Sequence, residues 1–64
     1  MKVKEIIKKY RLCSNADVFV EAIKNQSVLQ LTQTQMDKLE PEYLMDMRVN
    51  SFDVVDNVLT IYAE

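Results

Sequence analysis

The chain of 64 residues contains no glycine. Glycine takes positive φ without steric cost, so every tight turn here must be made by residues that tolerate the left-handed region, chiefly Asn and Asp. That condition points to Asp56-Asn57, a two-residue step inside the stretch Arg48 to Ala63, flanked by runs rich in β-branched and aromatic residues. Such a step closes a hairpin. With Val55 opposite Val58, the register pairs Val54 with Leu59, Asp53 with Thr60, Phe52 with Ile61 and Ser51 with Tyr62. Alternation then places Phe52, Val54, Leu59 and Ile61 on one face, the expected seed of the core. Val49, Ser51, Asp53, Val55, Val58, Thr60 and Tyr62 fall on the other. Further turns are expected at Asn15 and Asn25.

Upstream, Lys2 to Arg11 reads as an amphipathic helix, because Val3, Ile6, Ile7 and Tyr10 recur at three-and-four spacing among lysines and Glu5. Asp17 to Ile23 reads as a strand, with Val18, Val20 and Ala22 on one side and Phe19, Glu21 and Ile23 on the other. Lys24 to Gln26 is the expected turn and Ser27 to Leu31 the returning strand. Two short helical turns follow, about Thr34 to Leu39 and Pro41 to Met45. The first is expected to start with Thr34 and Asp37, and the second with Pro41 at the first helical position. Met36, Leu39 and Tyr43 share a face, and Met36, Met45 and Met47 suit gap-filling in a small core. The fold class is therefore α+β: an N-terminal helix packed on an antiparallel sheet of about four strands in two hairpins, with a short helical segment between them, residues 1–64 forming a single domain.

So short a chain buries only about 60% of its extended surface, and its core is marginal unless supplemented. Cys13 is the only cysteine and histidine is absent, which rules out an internal disulfide and the common zinc sites. Self-association, as a dimer or higher homo-oligomer, is the supplement left. No apolar run is long enough to span a bilayer or serve as a signal peptide, so the expected compartment is the cytoplasm and no membrane partner is expected. Residues 1–32 carry six basic and three acidic groups, residues 33–64 two basic and seven acidic. The lysines lack interleaved aromatics and the net charge is −2, which argues against direct nucleic-acid binding.

Without histidine the commonest general base is missing, and without glycine so is the familiar phosphate-cradling loop. Cys13 lacks an activating partner of the usual kind, and the carboxylates of Asp37 to Asp46 fall on a segment expected to meet water. No catalytic residue, metal or cofactor is expected, and the chain reads as a non-enzyme. What remains is binding. Tyr62, Val49, Val55 and Val58, with Asp53 and Thr60 among them, form an aromatic and aliphatic patch of interface composition on the outer hairpin face. Tyr43 and Tyr10 are further candidates, and the acidic stretch Asp37 to Asp46 is expected to join the patch. An alternative class, an oligomeric sponge for a nucleotide, requires Arg48, Arg11 or Lys24 to converge on a cavity beside Tyr62 or Tyr43. A purely structural domain is a third.

The opening MKVKEIIKKY and the closing VNSFDVVDNVLTIY are similar to very short phage and prophage proteins of low-GC Gram-positive bacteria. Those proteins begin with a basic helix and end with a hairpin of the form V-x-S-x-x-V-x-D-N-x-L-x-I. The resemblance covers about 25 residues, and Leu29 to Met47 matches no motif of theirs. It implies an accessory role in a phage or mobile element, such as inhibition of a host antiviral defence protein by direct binding or by trapping a nucleotide signal. It carries over no site residues.

Overall fold

The computed structural model describes residues 1–11 and 16–64, and the turn expected at Asn15, Cys13, Ser14 and the Arg11 side chain lie outside the described residues. The elements run α1 (Val3–Arg11), β1 (Asp17–Ala22), β2 (Ser27–Gln30), α2 (Gln33–Lys38), α3 (Glu42–Met45), β3 (Val49–Val55) and β4 (Val58–Ala63). This is the expected α+β domain. The strands form one sheet in the order β2-β1-β4-β3. Each hairpin is antiparallel, and the two are joined by parallel pairing of β1 with β4, from Asp17 opposite Val58 to Ala22 opposite Ala63. The sheet is therefore mixed. β2 and β3 run in the same direction at opposite edges, so the chain between them must cross the sheet, and α2 and α3 make that crossing.

Local chemistry sets the element ends. At the start of α1, the Glu5 carboxylate accepts from the Lys2 amide at 3.2 Å, occupying a donor that the helix leaves unpaired. α2 begins with a reciprocal capping box: the Gln35 amide donates to Thr32 Oγ1 at 3.1 Å, and the Thr32 amide to Gln35 Oε1 at 2.8 Å. The cap expected at Thr34 thus lies two residues earlier, because Gln35 can return the bond. Leu39 ends α2 in the left-handed region (φ 55°), and Pro41 is the N-cap of α3 rather than its first helical residue. Asp56 and Asn57 both have positive φ (51° and 64°), the type I′ turn expected of them. In the other hairpin positive φ falls on Gln26 (53°) and not on Asn25.

All three helices contribute to one apolar core on one side of the sheet. Val3, Ile6, Ile7, Met36, Leu44 and Met45 meet Val18, Val20, Leu59, Ile61 and Ala63, and no polar side chain is buried among the described residues. Burying each large aliphatic contributes about 1.5–3 kcal/mol, so the central pair β1 and β4 holds much of the stability. The hairpin register is the expected one in every pair from Val55–Val58 to Ser51–Tyr62. Its expected core face divides, however: Leu59 and Ile61 are fully buried, whereas Phe52 and Val54 are 41% and 46% exposed. β3 is an edge strand that runs out past the helices, and there Tyr10 meets Phe52 edge-on at 5.6 Å. Val49 also departs from expectation. An irregularity between Val49 and Ser51 sets Val49 opposite Ala63, which turns it onto the core side.

The start of β3 is tied from both sides. Val3 donates to the Met47 carbonyl at 3.0 Å and Val49 to the Met1 carbonyl at 2.7 Å, while Arg48 and Glu64 exchange two backbone bonds of 3.0 Å. No helix among the described residues is long and apolar enough to cross a membrane.

Ile61→Ala is expected to lower stability by about 2–5 kcal/mol, and Val55→Ala by no more than about 0.5 kcal/mol, read from urea midpoints. Asn57→Gly should raise stability by about 0.5–1 kcal/mol by relieving a left-handed side-chain position.

Candidate functional site

With every helix on one side, the other face of the sheet is uncovered by any described residue. Cross-strand register arranges it in three rows. One row runs Val28, Glu21, Tyr62, Ser51; the next Gln30, Phe19, Thr60, Asp53; the third Asp17, Val58, Val55. None of these side chains is buried; Phe19, Glu21, Val58, Thr60 and Tyr62 are half-buried by their neighbours alone. Directly opposed residues in adjacent strands lie about 5 Å apart, so Tyr62 sits between Glu21 and Ser51, and Phe19 beside Thr60. The face mixes polar and apolar groups in its middle and is apolar toward the Asp56-Asn57 turn, where Val58 pairs with Val55 and Val55 is 58% exposed.

Its charge is one-sided. The three rows hold Asp17, Glu21 and Asp53 and no lysine or arginine. None of the three carboxylates is ion-paired among the described residues. Arg48, beyond the row of Tyr62 and Ser51, has its guanidinium 3.6 Å from Glu64. The surface therefore offers carboxylates set among apolar groups, which suits a partner that brings both cations and apolar area. Chemically it can bind and position, but it gathers no nucleophile with an activating base. No group of three or more His, Cys, Asp or Glu that could hold a metal ion occurs among the described residues.

Compared with protein-family models, curated proteins and solved structures, the chain matches none.

Of the residues singled out from sequence, Tyr62, Asp53, Val55, Val58 and Thr60 share this face as expected. Three others do not. Tyr43 lies on α3, on the helical side of the sheet, and is 74% exposed where packing with Met36 was expected. Tyr10 packs against Phe52 on that same side. The acidic stretch Asp37 to Asp46 belongs to the helical layer and is not contiguous with the hairpin patch. Parallel pairing supplies what the hairpin alone lacked, since β1 brings Phe19 and Glu21, and β2 brings Val28, alongside Tyr62 and Thr60. The alternation of Asp17 to Ile23 already separated Phe19 and Glu21 from the core side; only the strand order was missing.

The helical layer fixes its own charges. Asp46 lies 3.1 Å from Lys4 and 3.6 Å from Lys2. The hydrogen bond from Lys4, joined by the charges of both lysines, holds its carboxyl below the ordinary aspartate value, against the opposing effect of partial burial. A carboxylate whose pKa is lowered on folding adds stability above its unfolded pKa of about 3.9, and that stability is lost as pH falls through the folded value. The urea midpoint of Asp46→Asn should therefore lie below that of the wild type at neutral pH, with the gap closing in acid and narrowing in high salt.

Proposed function

We propose that this chain is a non-enzymatic accessory protein that works by seating a partner protein on the open face of its sheet. The observation that carries the reading is the composition of that face: Tyr62, Phe19, Val28, Val55 and Val58 interspersed with three carboxylates that have no ion-pair partner among the described residues. Tyrosine and phenylalanine bury large area at small entropic cost, and the uncompensated acids select a partner rich in lysine or arginine. Following the resemblance of the two chain ends to short phage proteins, the partner we favour is a host protein of antiviral defence, and the effect is inhibition by occupancy.

Self-association suits the edge of β3 better than this face. Face-to-face contact between two copies would set Asp17, Glu21 and Asp53 against three rows that hold no cation, with Arg48 only at their margin beside Glu64. The edge from Ser51 to Val55 has free backbone groups beside Phe52 and Val54, whose apolar surface a second strand would cover. The sponge alternative has less support: Lys24 and Tyr43 do line one groove, but Lys24 is the single cation among its lining residues, and Arg48 and Tyr62 stand apart from it.

Affinity capture from bacterial lysate tests the reading. A partner should be retained by the wild type, elute at raised salt, and be lost with Tyr62→Lys. Once it is purified, Tyr62→Ala should weaken binding by about 2 kcal/mol, roughly 30-fold. A partner held equally by Tyr62→Lys, or indifferent to salt, would refute it.

A further inference from the structure

A second site lies on the opposite side of the sheet. At the β1–β2 hairpin end, Ser27, Ala22 and Ala63 are neighbours across β2, β1 and β4, facing the helices with three small side chains. The next row, Leu29 and Val20, is larger, and α3 stands over it with Leu44 and Tyr43. The crossing segment therefore does not close onto the sheet here, and a groove of about 500 Å³ remains, with Met47 on its wall and Lys24 and Asn25 at one end. That volume lies within the range of small-ligand sites, about 300–1,000 Å³.

Its chemistry is graded from end to end. The body is aliphatic (Val20, Ala22, Leu29, Leu44, Met47, Ala63), with the Tyr43 ring at the rim. The polar end is lined by Lys24, Asn25 and Ser27, and no Asp or Glu lines the groove. Lys24 forms no ion pair among the described residues. In a chain of net charge −2 this is a local cation beside exposed apolar surface, where Leu29 is 41% and Tyr43 74% exposed.

We infer that the groove binds a small amphipathic anion, with an aliphatic body along Leu29, Val20 and Met47 and a carboxylate or phosphate head at Lys24. The aliphatic lining selects the body, and the unpaired ammonium, flanked by two neutral hydrogen-bonding groups, selects the sign of the head. The site is separate from the open face, and neither reading depends on the other.

NMR titration of the full chain with octanoate, octyl phosphate, 1-octanol and acetate tests it. Octanoate or octyl phosphate should shift the resonances of Lys24, Leu29, Tyr43 and Met47, and the tighter of the two identifies the head. Lys24→Gln should weaken that binding about twofold to fivefold, as for an ion pair near solvent, and leave 1-octanol unaffected. Leu29→Gln should weaken both tailed anions and 1-octanol. Both residues are exposed, so both variants should keep the wild-type urea midpoint. Shifts scattered over the surface, equal binding of acetate, or octanoate binding unchanged in Lys24→Gln would overturn the inference.

Discussion

Three short helices can cover one side of a four-stranded sheet but not both, and the architecture follows from that constraint. The central strands β1 and β4 lie under the helices, and there Val20, Leu59 and Ile61 reach essentially zero exposure. Both edge strands extend past the cover. Phe52 and Val54 on one edge, and Leu29 on the other, point toward the helical side without being closed over. The open face, the exposed β3 edge and the groove under α3 are three results of the same shortage of helical surface.

What distinguishes these surfaces is charge. The helical layer neutralises itself where it can, with Lys2 and Lys4 both directed at Asp46. Among the described residues, the open face carries acids without counter-ions, and the groove carries a lysine without an acid. Exposed charges of this kind contribute little to folding, and their cost in the free protein is small because water solvates them. Their effect is on selection, since each surface accepts partners of one sign and opposes the other.

The hairpin was legible because one dipeptide decided it. Asp56-Asn57 admits positive φ at both positions, and its two-residue length then fixes every pair down to Ser51 and Tyr62. The strands β1 and β2, and the two helical turns around Pro41, were legible from periodicity and from proline. The parallel union of β1 and β4 was not, because alternation says which side a residue faces and nothing about which strand lies next to it. That omission hid half of the open face, including Phe19, Glu21 and Val28. Val49 was misplaced by one inserted residue, since any such insertion reverses the sides from that point on. The left-handed Leu39 had no sequence signal: leucine disfavours that region, and here its side chain packs against the core in partial compensation.

Met47 and Val49 share main-chain bonds with Val3 and Met1 on one flank, and Arg48 between them exchanges two with Glu64 on the other. Peeling away the segment before α1 bares the edge on which the last residues of β4 rest, so the two extremities should open as one cooperative unit, whereas the distant Asp56-Asn57 loop can fray by itself. A fusion attached at either extremity would emerge from the same corner of the molecule, remote from the turn and from Val55 but next to the row of Tyr62 and Ser51.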